Sequence, residues 1–233
     1  DSFASKSEVI MSTKGVLAIF VKTPEFSQVK TRLAAGIGQE GALLFYKQAL
    51  EATAALSRQV KTELLDLDVV WAVAEEQGLT SDRWIEFGTI FQGEGGLGQK
   101  LHTVYVELLS RYDYVAFIGA DSPHIPSTEI VKALTLTKKW RNEKFIIGET
   151  FDGGFYFFGG GIPLSKNVWT NIEYSSERTA QQLELELKKF GSIEKVEKNF
   201  DIDTIEDLHS LSQCKAGSLP EQAKLIEWAR SIK

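Results

Sequence analysis

The stretch GVLAIFVKTPEFSQVKTRL, residues 15 to 33, decides the fold. Its first seven residues are continuously apolar, the pattern of a short strand buried on both faces, as in a parallel sheet covered by helices. A long polar loop, 22 to 38, is expected next. A helix then follows from Gln39 to about Arg58, where Leu43, Tyr46, Leu50 and Ala54 recur at helical spacing. Further out, DLDVVWAVA (66 to 74) reads as a second strand. SDRWIEF (81 to 87) reads as a brief helical piece and TIFQ (89 to 92) as a short strand before the glycine-rich turn GEGGLG (93 to 98). Leu101, Val104, Tyr105, Leu108 and Leu109 then mark an amphipathic helix.

YVAFIGA (114 to 120) is another buried strand, ending at Asp121. A helix over 127 to 140 and the strands KFIIGE (144 to 149) and FYFFGG (155 to 160) come next, the last beyond a DGG turn (152 to 154). The remainder reads as a helix over roughly 176 to 190, a strand over 193 to 200 and two closing helices. Thr204 with Asp207 and Ser218 with Glu221 fit capping boxes, and Pro220 suits a first helical turn. This alternation predicts an α/β fold: a single-domain, three-layer sandwich with a mostly parallel mixed sheet.

At 233 residues and 43% apolar content, the chain suits one large domain, expected over 14 to 233, with a core that needs no disulfide or structural metal. Residues 1 to 13 are expected to be a disordered arm or a cloning remnant. A net charge of −6 argues against a nonspecific hold on nucleic acid or anionic membrane. No apolar run approaches the roughly 20 residues that span a bilayer. A lone cysteine, Cys214, leaves no disulfide framework or cysteine-based zinc site and favours the cytoplasm. Hydrolase and zinc-peptidase readings find no GxSxG, HExxH or Cys/His pair.

In such sheets ligands sit beyond the carboxyl ends of the strands, so chemistry is sought there. Lys22, Lys30, Thr31 and Arg32, after the first strand, form either a phosphate cradle or a solvated basic loop. Gly93, Gly95 and Gly98 form a literal GxGxxG, but it falls mid-chain, where a dinucleotide fingerprint does not belong, and Gln99 replaces the lysine of a phosphate loop. Asp121 in GADSPHIP is placed either to hold a hard cation or to form a turn, with Ser122 and His124 as supporting partners. Asp201 and Asp203 in DIDTIEDL alternate on an extended segment and can face one site. A cation held by Asp121 with Asp201 or Asp203, opposite Lys22, Lys30 and Arg32, would clamp a diphosphate with Mg²⁺ or Mn²⁺.

FVKTPEFSQVKTRL (20 to 33), GGLGQKL (95 to 101), GADSPHIP (119 to 126), DGGFYFFGG (152 to 160) and DIDTIEDL (201 to 208) occur in that order. The chain thereby resembles a bacterial glycosyltransferase-like family of the GT-A nucleotide-diphospho-sugar transferase superfamily, some of whose members are linked to arsenosugar biosynthesis. The resemblance runs from Gly15 to about Leu211. Three departures stand out: Phe26 and Ser27 replace Pro-Gly, Gly96 and Gln99 replace an acidic pair, and Ile205 replaces a proline.

The resemblance implies nucleotide contacts from Lys22, Lys30, Thr31, Arg32, Gly95, Gly96, Leu97 and Gly98, and metal binding at Asp121, to which charge balance adds Asp201 and Asp203. It also implies sugar or acceptor contacts near Asp152, from Gly153, Gly154, Phe155 and Tyr156. Asp152 is the candidate for orienting the sugar or acting as general base, with a turn-forming role as the alternative. The expected activity is metal-dependent glycosyl transfer from a nucleotide sugar to a small acceptor. Nucleotidyl transfer from a nucleoside triphosphate, or nucleotide binding without catalysis, are the alternatives.

Overall fold

Successive side chains of a strand point to opposite faces, and the first strand, β1 (Gly15–Val21), uses both. Leu17, Ile19 and Val21 enter one apolar cluster, whereas Val16 and Ala18 enter another across the sheet. The computed structural model describes residues 13–215 and 217–232. The arm expected over 1 to 13 therefore lies, apart from its last residue, outside the described residues.

The other strands are β2 (Leu67–Val73), β3 (Gly88–Phe91), β4 (Tyr114–Gly119), β5 (Lys144–Glu149), β6 (Phe155–Gly160) and β7 (Ser192–Lys195). Helices are α1 (Thr31–Glu63), α2 (Leu97–Leu109), α3 (Ser127–Trp140), α4 (Lys166–Thr170), α5 (Thr179–Leu187), α6 (Ile205–Gln213) and α7 (Pro220–Ser231). The sheet order is β3-β2-β1-β4-β6-β5-β7. Only β6 runs against its neighbours; the remaining pairs are parallel. This is the mostly parallel mixed sheet that the pattern of apolar runs implies. Helices α1 and α3 cover one face and α2, α4 and α5 the other. Outside α1, α6 and α7 add a third apolar cluster through Leu208, Leu211, Leu225 and Ile226.

The topology places the site. From β1 the chain moves outward through β2 and β3, then returns to place β4 on the opposite side of β1. That reversal opens a crevice at the carboxyl end of β1, where doubly wound sheets bind ligands. Because β6 is antiparallel, the turn joining it to β5 lies at the same edge, as does the segment that follows β7.

Several boundaries differ from the sequence reading. Helix α1 begins at Thr31, inside the stretch read as loop, and breaks at Gly38, where φ is 79°. Its first turns carry a single fully buried apolar residue, Leu33, too little for a periodic signal. Strand β7 stops at Lys195, beyond which only an isolated bridge joins Asn199 to Thr150. Helix α5 starts at Thr179 rather than near 176, and the short α4 carried no recognisable pattern. Thr204 and Asp207 form their capping box. Ser218 and Glu221 do not, because α7 starts at Pro220 with Leu219 as its uncapped N-cap. Among the described residues no helix is long and apolar enough to cross a membrane.

Candidate active site

Beyond β1 the backbone of Lys22 is held by Tyr46, whose hydroxyl accepts from Lys22 N (2.9 Å) and donates to Lys22 O (3.0 Å). The chain then reaches Lys30, the residue before α1, in the left-handed conformation (φ 51°). For a residue other than glycine this costs about 1–2 kcal/mol, so the surroundings must enforce it. They do so through the side chain. The Lys30 side chain is 3% exposed, and its Nζ lies 2.5 Å from Asp121 Oδ1, 3.0 Å from Asp203 Oδ1 and 2.7 Å from the Ile202 carbonyl oxygen. Burial alone would lower the lysine's pKa, but the two carboxylates override it and raise it. Arg32 Nη2 lies 2.5 Å from Asp203 Oδ2 and is 65% exposed.

Asp121 follows β4, and the chain bends at Pro123 and Pro126 into α3. Two neighbours fasten this bend to the segment beyond β7. Ser122 Oγ donates to Asp201 Oδ1. His124 Nε2 lies 2.8 Å from Asn199 Oδ1, and its ring packs on Phe200 with centroids 4.2 Å apart. Burial pushes the His124 pKa down to about 4, only partly offset by Asn199, so the imidazole is neutral at pH 7. Burial, and next the charge of Asp121, push the Asp201 carboxyl up to about 7. The support expected from Ser122 and His124 thus goes to the segment that carries Asp201 and Asp203.

The third component is the β5–β6 turn. Asp152 Oδ1 accepts from Thr150 Oγ1 (2.5 Å) and Gly154 N (3.2 Å), which is the turn-forming role. Its Oδ2 makes no hydrogen bond among the described residues and the side chain lines a cleft, so the same residue keeps a free oxygen for a ligand. Gly153 adopts φ 90°, and any Cβ there would strike the Glu177 backbone. That close approach, with the bond from Ala180 N to Gly153 O (2.9 Å), straps residues 174 to 179 across the turn. Ser175 in this strap has φ 59°.

These components enclose two clefts, of about 290 and 450 Å³, that share Phe20, Arg32, Leu97, Asp121 and Asp203. Lys22, Lys30 and Thr31 line the first; Asp152, Gly154, Phe155, Tyr156 and Asp201 line the second. The first cleft therefore has three cationic side chains against two carboxylates. The second has Arg32 alone against five, counting Glu177.

Of the glycine-rich turn only Leu97 reaches the clefts. Gly98 is instead buried where a Cβ would meet the Trp169 carbonyl, and Gln99 Oε1 accepts from Gly96 N at the start of α2. Gly95, Gly96 and Gly153 line neither cleft. The sequence alone reads Tyr46 only as a helix-face residue and Gln92 only as a strand end, and absorbs most of the strap from Tyr174 to Thr179 into a helix. The Ser-Ser-Glu-Arg-Thr run leading into α5 was the available signal for the strap, since such clusters mark turns.

Carboxylate oxygens are the hard donors that Mg²⁺ and Mn²⁺ take. Asp121 and Asp203 converge on one point, because both reach Lys30 Nζ. The ammonium holds that point, and Asp201 is turned to Ser122. Among the described residues no group of three or more His, Cys, Asp or Glu side chains is arranged to hold a metal ion. Asp121 and Asp203 thus suit a divalent cation in donor type, and would hold it in place of the Lys30 ammonium rather than beside it.

Solved structures share this architecture. A candidate nucleotide-diphospho-sugar transferase from Desulfovibrio desulfuricans superposes over 94% of this chain and 96% of its own, with TM-score 0.78 and 21% identity. A 4-diphosphocytidyl-2C-methyl-D-erythritol synthase from Anaerococcus prevotii covers 84% of this chain and 94% of its own (TM-score 0.52, 12% identity). A cytidylyltransferase from Leptospira borgpetersenii covers 94% of each chain (TM-score 0.51, 16% identity). At these identities the likeness is one of fold. No curated protein matches by sequence. The sequence profile of DUF2064, described as an uncharacterized protein conserved in bacteria, matches residues 53–176, more than half the chain. With the GT-A-like sheet and its paired clefts in view, the chain belongs to this bacterial family.

Proposed function

We propose that the protein is a transferase that moves the sugar of a nucleotide-diphospho-sugar to a small, uncharged acceptor. The carrying observation is the opposite charge of two clefts that meet at Asp121 and Asp203. A diphosphate suits the first, where Lys22, Thr31, Arg32 and the unpaired N–H groups at the start of α1 offer charge-assisted bonds. A divalent cation at Asp121 and Asp203, Mg²⁺ or Mn²⁺, would supply positive charge to the departing diphosphate.

The second cleft favours a neutral partner. A phosphate there would meet each nearby carboxylate at a cost of about 1 kcal/mol in bulk water, and about 4 kcal/mol at an effective dielectric of 20, taken at 4 Å. Lys30 pairs Asp121 and Asp203, and Arg32 is itself on Asp203, so no cationic side chain of the cleft is left to offset Asp152 and Glu177. Phe20, Leu97, Phe155 and Tyr174 offer apolar faces suited to the faces of a sugar ring. The free Asp152 oxygen in the cleft supports a role in orienting an acceptor hydroxyl or taking its proton. Nucleotidyl transfer, the activity in the name of the Leptospira cytidylyltransferase, is the second reading. It requires seating a phosphorylated partner where this chain places carboxylates.

Thermal-shift measurements with nucleoside diphosphates, triphosphates and nucleotide sugars, with and without Mn²⁺, test the reading. A ligand at 100 times its dissociation constant stabilises by about 2.7 kcal/mol. Nucleotide sugars are expected to raise the midpoint in an Mn²⁺-dependent way, and Asp121→Asn to abolish that dependence. A response confined to nucleoside triphosphates, or unchanged Mn²⁺ dependence in Asp121→Asn by calorimetry, contradicts it.

A further inference from the structure

Gln92 directly follows β3 and is 5% exposed, yet it lines the first cleft. Its backbone N donates to Val73 O (3.0 Å). Its side-chain Nε2 donates to Ala72 O (2.7 Å) and Val21 O (3.2 Å), so one amide ties together the ends of β3, β2 and β1. Both amide hydrogens are thereby used, and the orientation is fixed, since a flipped amide would turn its oxygen toward two carbonyl oxygens. Oε1 is left as an acceptor with no hydrogen-bond partner among the described residues. It is not among the sealed unpaired atoms, and the residue lines the cleft.

Thr23 Oγ1 and Glu75 Oε1 also lack a partner among the described residues, but both are sealed from solvent and neither residue lines the cleft. The Tyr46 hydroxyl both accepts from and donates to the Lys22 backbone, and Thr23 N donates to Glu75 Oε2 (2.8 Å). The topology sets the direction of a bound nucleotide. Gln92 lies on the β2–β3 side of the β1 end, and Asp121 on the β4 side. With the diphosphate drawn toward Lys22, Arg32 and a cation held by Asp121 and Asp203, the base would extend toward Gln92.

We propose that Gln92 is a specificity-determining residue that reads the nucleobase, its Oε1 accepting a hydrogen bond from an N–H on the base edge. The inference rests on the nucleotide-binding reading of the first cleft. Donors of this kind are the ring N–H of uracil or guanine and the exocyclic amine of cytosine or adenine. A base that turns a ring-nitrogen lone pair toward Gln92 leaves two acceptors facing each other. Unpaired buried polar groups are what let a site reject a near-identical ligand strongly.

The test is calorimetric binding of UDP, GDP, CDP, ADP and inorganic pyrophosphate to the wild-type chain and to Gln92→Met, with thermal melts reporting folding. Gln92→Met is expected to weaken the preferred diphosphate at least about tenfold and level the ratios among bases, with pyrophosphate affinity unchanged. Base preferences retained in Gln92→Met overturn the assignment. The variant also frees the Val21 and Ala72 carbonyls and can lose its fold, so a second measurement keeps the protein intact. The preferred diphosphate with its base N–H blocked by methylation is expected to bind wild type at least tenfold more weakly. Equal binding overturns the proposal. Pyrophosphate binding with no nucleoside diphosphate binding contradicts the nucleotide reading itself, and Gln92's role with it.

Discussion

On the β1 side of the site most charges are already paired. Lys30 lies between Asp121 and Asp203, and Arg32 reaches the second of these. On the β6 side Asp152 and Glu177 meet no cationic side chain among the described residues. One half is largely paired before any ligand arrives, with Lys22 left over, whereas the other presents carboxylates to whatever enters. Substitutions in the first half should therefore register in stability as well as binding. Substitutions of the carboxylates in the second should register mainly in turnover.

Lys30→Ala should give the largest effect. It strips the counter-ion from two carboxylates and leaves alanine in a left-handed backbone. Breaking a buried pair costs about 3–5 kcal/mol; because Asp121 is 50% exposed, roughly 3 kcal/mol is expected, a melting-point loss of roughly 6–12 °C. Mn²⁺ should recover part of this loss if the freed carboxylates take a cation. A melting point within 2 °C of wild type would show that the pairing carries no weight.

Gly153→Ala tests the one part of the open half that is mechanically fixed. A Cβ at φ 90° facing the Glu177 backbone is expected to cost about 2 kcal/mol. The strap over 174 to 179 should loosen, seen as faster hydrogen exchange there than in α2. Unchanged exchange would mean that the close approach does not hold the strap.

Asp201 links the halves and gives a pH signature. Its carboxyl titrates near 3.8 when unperturbed, but burial and the Asp121 charge raise it to about 7 when folded. The folded state thus holds a proton that the unfolded state has released. Stability from this group is full below about pH 3.8 and is lost as pH rises toward 7. Asp201→Asn keeps an acceptor for Ser122 and should stabilise the chain above pH 7 by roughly 1–2 kcal/mol, with no gain at pH 3.5. Thermal melts at the two pH values check this; equal effects at both would remove the titration as the cause.

Much of this was legible in sequence where periodicity is strong. The boundaries of α3, β5 and β6 coincide with the segments read from apolar spacing, and the switch from period 2 to period 3.6 explains why. The aspartates were also legible as a group, since each sits where a strand or extended segment ends. Lys30 was read as a phosphate ligand, because nothing local reveals that Asp121 and Asp203 reach it first. Gln92 was invisible for the same reason: its meaning depends on three strand ends meeting. The strap was absorbed into a helix because its register against Gly153 arises only after β6 has paired.

Two smaller stability effects complete the comparison. Arg32→Ala removes an exposed ion pair and should cost below about 1 kcal/mol, yet weaken nucleoside diphosphates at least about tenfold more than the corresponding nucleosides. Equal weakening would place the loop at the base. Asp152→Asn should change stability by less than about 0.5 kcal/mol and lower turnover more than donor affinity.

Phosphorus NMR of the products tests the central claim most directly. With Mn²⁺, a nucleotide sugar raising the melting point and a panel of uncharged hydroxyl acceptors, the account predicts nucleoside diphosphate as the released product and no pyrophosphate. Pyrophosphate formed from a nucleoside triphosphate and a phosphorylated partner, with no sugar transferred from any donor, would contradict it.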